Sequence, residues 1–147
     1  MKKNRKLILT FVLPITIILF GTITKWHYVY IEDGPSDFIY GFPLPFICGG
    51  WFTSFSLQIF VTELVFDFFI YSIICFTVIL LTDNYLKPIK VKKYLKFGLY
   101  GLAILTILFY GIILFSNPNI LFKIKRNFNY KETQSGYQFM WQQKNKE

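Results

Sequence analysis

Three apolar runs dominate the chain, each closed by polar or basic residues. The first is Leu7 to Thr24, LILTFVLPITIILFGTIT, preceded by Met-Lys-Lys-Asn-Arg-Lys. The second runs from about Gln58 to Leu81 and ends at Thr82-Asp83-Asn84; the third runs from Phe97 to Phe115 and stops at Ser116-Asn117-Pro118-Asn119. Each is about 20 residues long, enough at about 1.5 Å rise per residue to cross a hydrocarbon core about 30 Å thick. The pattern predicts three transmembrane helices, at about 7–24, 58–81 and 97–115. Pro14 predicts a kink of the kind that lipid-embedded helices tolerate. A basic start before an apolar run is also the layout of a secretory signal peptide. This run is longer than the usual 7–15 or so residues and lacks an Ala-x-Ala pattern after Phe20, so we expect a retained span. Lys25, Trp26 and Tyr28 close it as an interfacial belt.

Between the first two runs lies a loop, Lys25 to Ser56. Trp26-His27-Tyr28-Val29-Tyr30-Ile31 has the aromatic and β-branched content of a short strand, and Glu32-Asp33-Gly34-Pro35 reads as a turn. The stretch Phe38 to Phe52, FIYGFPLPFICGGWF, is apolar enough to enter a bilayer. Pro43, Pro45 and Gly49-Gly50 exclude a regular helix there, and no polar connector separates it from the second run. An interfacial or shallow re-entrant segment is expected. After the third run, Tyr137, Phe139 and Trp141 alternate with polar residues, and Gln134-Ser135-Gly136 reads as a turn. Two readings of this tail stay open. Its strands form a small outer sheet with Trp26–Ile31 and Ile120–Lys125, or it is partly disordered, its aromatics resting on headgroups.

Composition sharpens the membrane reading. The 147 residues are 54% hydrophobic and only 16% charged, against roughly 25% charged in soluble domains. A net charge of +8 invites a nucleic-acid reading, but the basic residues flank the apolar runs, where the positive-inside rule places them. With the N-terminus inside, the cytoplasmic face carries Lys2, Lys3, Arg5, Lys6, Lys87, Lys90, Lys92, Lys93 and Lys96. The other face carries Lys25, Lys123, Lys125, Arg126, Lys131, Lys144 and Lys146. The acidic first loop, with Glu32, Asp33 and Asp37 against one lysine, decides for a cytoplasmic N-terminus and an external tail. The expected division is a membrane domain over 1–116 and an extracytoplasmic tail over 117–147. Cys48 in the loop and Cys75 inside the second run should not meet as a disulfide.

Candidate chemistry concentrates in the second run. Glu63 and Asp67 are four residues apart, so both carboxylates share one helix face, which Ser56, Phe60, Tyr71 and Ile74 continue. Ionisable groups in a span avoid lipid and tend to face protein or a watery cavity. Matching depths along the helices puts Asp67 level with Tyr110, Gly111 and Thr22, and Glu63 level with Lys25. We therefore expect a hydrogen bond from Tyr110 or Thr22 to Asp67 and an ion pair between Lys25 and Glu63. The bland alternative is a carboxylate satisfied by neighbouring hydroxyls, with Glu63 solvated. Two acids are too few oxygens for a hard cation, and His27 reads as a headgroup-level polar residue. No nucleophile elbow, zinc signature or haem motif occurs, so no catalytic, cofactor-binding or metal-ligating residue is assigned. In the third run, Gly98, Gly101, Ala103 and Gly111 favour close packing within the bundle over dimerisation, since their spacing is not GxxxG.

The element Gly41-Phe42-Pro43-Leu44-Pro45-Phe46, ahead of the serine-bearing start of an apolar helix, resembles small uncharacterised bacterial inner-membrane proteins with a Gly-aromatic-Pro-x-Pro-Phe element. The resemblance covers about Ile39 to Asp67 and implies a bacterial inner-membrane setting and nothing about activity. The fold class expected is an all-α membrane protein of three transmembrane helices, with an irregular Pro/Gly-rich outer loop and a small outer β element. The function expected is that of a non-enzymatic accessory or regulatory subunit. The alternative is an oligomeric transport or ion-handling component using the acidic intramembrane pocket. Expected partners are the lipid bilayer and a protein partner or further copies of the chain, with no nucleic acid and no cofactor.

Overall fold

The computed structural model describes residues 7–22, 25–31, 38–50, 56–86, 92–126 and 132–139. Among the described residues there are three α-helices and six strands. A π-helical turn, Ile8–Val12, leads into α1, Leu13–Thr22. The second helix, α2, spans Val61–Leu81 and is continued by a π-helical turn, Thr82–Leu86; α3 spans Lys93–Ser116. The strands are β1 Lys25–Ile31, β2 Ile39–Gly41, β3 Ile47–Gly49, β4 Leu57–Phe60, β5 Ile120–Lys123 and β6 Glu132–Phe139. Two helical stretches, Val61–Tyr85 and Lys93–Ser116, are long and apolar enough to cross a membrane. Ile8–Thr22 is apolar but shorter.

By its contacts the chain divides into two units, Met1–Thr22 with Phe68–Ile112, and Ile23–Asp67 with Ile113–Glu147. The first unit is helical. Its local structure follows from Pro14. In a π turn each carbonyl accepts the N–H five residues on, as Ile8 does from Leu13. The corresponding donor for Leu9 would be Pro14, which has no N–H. The hydroxyl of Tyr100 on α3 donates to the Leu9 carbonyl in its place. At the other end of α1, the Gly21 carbonyl is one of the last four that a helix cannot satisfy itself, and the Tyr110 hydroxyl donates to it. A side chain at Gly21 would put its Cβ 3.1 Å from the Tyr110 ring and against the Thr106 methyl. The glycine lets these helices approach. Phe20 adds edge-on ring contacts with Phe68 at 5.7 Å and Tyr71 at 5.5 Å. Thr16, Cys75, Ala103 and Thr106 are buried.

The glycines of α3 behave otherwise than expected. A Cβ at Gly98, Gly101 or Gly111 would meet nothing within 4 Å. Of the small residues expected to pack, Ala103 is buried, together with Thr106 three residues on along the same face.

The second unit is built on one sheet, ordered β5-β4-β3-β2-β1-β6, antiparallel throughout except for the parallel pair β4–β5. Residues two apart along a strand share a face. Gln58 and Phe60 on β4, Cys48 opposite Gln58 on β3, and Ile39 on β2 are all buried. Neither Cys48 nor Cys75 is in a disulfide. The loop Pro/Gly-rich stretch is non-helical, as its prolines require, but it is more ordered than an irregular segment: it supplies β2 and β3. The small β element expected beside the helices is present, as a sheet of six strands among the described residues. One boundary moves and one turn becomes strand. Gln58, Ile59 and Phe60 belong to β4, so α2 begins at Val61, and Ser56 and Phe60 do not continue the face of Glu63. Gln134, Ser135 and Gly136 are no turn; they pair with Tyr30, Val29 and Tyr28 inside β6, because a long-range partner strand overrides local turn composition.

The entry to α2 is pinned by the sheet. Thr62 lies in the first turn of the helix, where backbone N–H groups lack internal acceptors. Its N–H donates to the Ile124 carbonyl at 3.1 Å and its hydroxyl to the same oxygen at 2.6 Å. Past α3, the Asn117 side chain accepts from the Asn119 N–H at 3.0 Å, an Asx turn before Pro118 has run its course. That turn delivers the chain into β5.

Candidate functional site

Asp67 lies on α2 with none of its surface exposed. Every N–H within a helix is already committed to the helix, so a carboxylate there must find donors elsewhere. The Gly41–Phe46 loop provides them. Pro43 and Pro45 carry no N–H, and the Phe46 N–H is spent on the Tyr40 carbonyl at 2.8 Å. Gly41 ends β2, paired with His27, which leaves Phe42 and Leu44. The Leu44 N–H donates to Asp67 Oδ1 at 3.1 Å, and the Phe42 N–H acts on the same carboxylate. The Phe42–Pro43 peptide bond is cis.

Gly41 makes the loop possible. Its φ is +152°, a region that L side chains rarely enter. A Cβ there would collide with the Leu44 carbonyl oxygen and lie 2.6 Å from the Phe46 nitrogen. Immediately beyond, the Phe46 carbonyl accepts from the Phe60 N–H at 2.8 Å, which ties the loop to the end of β4. So the Gly-aromatic-Pro-x-Pro-Phe element has a structural reading: it is an amide cradle for one buried acid.

The cradle does not satisfy that acid fully. Asp67 Oδ2 has no hydrogen-bond partner among the described residues, and neither has Glu63 Oε2 or Gln58 Oε1. Glu63 stands one turn before Asp67 on the same face of α2. Acceptors left bare in this way are satisfied by a proton, a water or a cation. Among the described residues, no group of three or more His, Cys, Asp or Glu could hold a metal ion.

Two of the expected companions of Asp67, Tyr110 and Thr22, have bonds of their own within the helical unit. Tyr110 gives its one hydroxyl proton to Gly21, as above. Thr22 Oγ1 donates at 2.6 Å to the Ile18 carbonyl one turn back in its own helix. Both hydroxyls thus serve carbonyls of α1. Lys25 sits in β1 opposite Phe139; its side chain, and with it the ion pair to Glu63, lies outside the described residues, as does the His27 side chain. Leu44 was missed because a backbone donor leaves no mark in side-chain patterning. The signal was there nonetheless: two prolines alternating with N–H-bearing residues leave donors that no ladder can use.

No protein-family model matches the chain, and no curated protein or solved structure matches it either.

Proposed function

We propose that the chain is a multi-pass integral protein of a bacterial inner membrane, with a cytoplasmic N-terminus, and that it works as a non-enzymatic accessory or regulatory subunit through the sheet. The observation that carries this is the exposure of the long helices. Only 11% of the most apolar stretch of α2, and 11% of that of α3, is buried. Core helices of a soluble protein would be mostly covered, so lipid is the natural partner of these surfaces. The sheet supports the topology. Strands from before α2 pair with strands from after α3, β1 with β6 and β4 with β5. Both segments must then lie on one side of the bilayer, which a hairpin of two spans achieves. The acidic first loop favours the outer side, and Ile8–Thr22 would be the first span.

A second reading keeps support from one observation. Asp67 and Glu63 each hold an unpartnered oxygen, and an ion-handling component, acting as an oligomer, would use such a pair to take up a proton or cation. One set of experiments separates these. Alkaline carbonate should leave the chain in the membrane, and reporters fused after Glu147 and inserted near Lys92 should report opposite sides, external and cytoplasmic. A cytoplasmic signal after Glu147 would sink the topology. In reconstituted liposomes, the accessory reading expects proton and cation flux no higher than in protein-free vesicles. Flux that disappears in Asp67→Asn would favour the second reading.

A further inference from the structure

We propose that the segment Phe115 to Arg126, where the chain leaves α3, is a docking surface for the anionic phospholipid headgroups of the bilayer that holds it. The proposal rests on the membrane reading above. Phe115 is 93% exposed, Phe122 61% and Ile124 83%, and Leu121 is exposed as well. Leu121 and Phe122 are neighbours on a strand, so they point to opposite faces. Both faces of β5 therefore present apolar side chains. Among the described residues β5 is also an edge strand, with β4 its one neighbour in the sheet. Apolar side chains on such an edge call for cover.

The exposure belongs to an ordered backbone. β5 is laddered to β4 from Leu57↔Ile120 to Phe60↔Lys123, and the Ile124 carbonyl takes both Thr62 donors. Charge then selects the occupant. Lys123, Lys125 and Arg126 interleave with the exposed apolar residues, and no Asp or Glu occurs from Ile113 to Arg126. Apolar side chains set among cations, next to the end of an apolar helix, suit the boundary where acyl chains meet phosphates. Pairing of two copies through this edge would instead bring like charges together, a standard device against strand addition.

The test uses the full chain in nanodiscs, with Ile124→Cys labelled by an environment-sensitive fluorophore; the native thiols are buried, and unsubstituted protein supplies the background. Blue-shifted emission is expected. Headgroup-proximal nitroxide on phosphatidylglycerol should quench at about tenfold lower mole fraction than the same label on phosphatidylcholine, given the attraction of two lysines to anionic lipid. The double variant Lys123→Gln, Lys125→Gln should stay blue-shifted and lose that preference. Water-like emission untouched by either lipid would overturn the proposal while leaving membrane integration intact. So would equal quenching by both lipids, or a disulfide between two Ile124→Cys chains in place of quenching. Release of the protein by carbonate would overturn the membrane reading as well, and is read separately.

Discussion

Asp67 and Tyr110 each bring a polar group onto a long apolar helix, and the chain deals with them differently. Tyr110 has a proton to give and meets a helix end, where carbonyls lack donors; a neighbouring helix is all it needs. Asp67 has only acceptors to offer when ionised, and helices have no spare N–H along their length. It therefore requires backbone that is not helical, and the Pro-x-Pro loop is such backbone. Hydroxyls can be absorbed by a helical bundle. A buried carboxylate demands a dedicated loop, which is why the more unusual sequence element accompanies the acid.

That contrast can be broken at its most constrained point. Gly41→Ala should cost about 3 kcal/mol or more, since it adds backbone strain to a steric collision; thermal unfolding in detergent is the measurement. A loss below about 1 kcal/mol would mean that the cradle does not depend on this glycine. Next in size is Asp67→Ala, which strands the Leu44 N–H and should cost about 2 kcal/mol. Asp67→Asn keeps an acceptor for that N–H and should cost well under half as much; equal losses for Ala and Asn would show that charge, and not the acceptor, holds the loop. The smallest effects lie with the hydroxyls. Tyr110→Phe should cost about 1 kcal/mol, within the range for hydrogen bonds between apolar helices, while Thr22→Val, whose bond stays within one turn, should change unfolding by less than about 0.5 kcal/mol. The reverse order would undo the distinction between bonds across helices and bonds within them.

Much of the helical architecture was legible, because long apolar runs carry their own length signal: α2 and α3 fall close to the runs ending at Leu81 and Phe115. The strand at Trp26–Ile31 and its alternating partner around Tyr137 and Phe139 were legible for the same kind of local reason. What was hidden depends on partners far away in sequence. Gln58 to Phe60 looks like the start of a helix, since nothing in its apolar pattern separates a buried strand from a helix turn; only pairing with Cys48 and Leu121 decides it. Gly98, Gly101 and Gly111 looked like packing positions, yet small size permits contact without causing it. For the candidate site, the acid itself was visible and its partners were not. Depth matching weighed only side chains, while the donors that reach Asp67 belong to the main chain.

The strand order also sets a timetable for biogenesis. The four strands β1 to β4 leave the ribosome before either long helix is complete, while β5 and β6, which flank them in the finished sheet, are translated only after α3. Until then the nascent ladder has two unprotected margins, along β1 and β4. Closing it joins residues as distant as Trp26 and Gln138, the kind of non-local pairing that slows folding. Quality-control proteases would thus meet this protein at its most vulnerable when its long apolar helices are already made and its sheet is still waiting for its outermost strands.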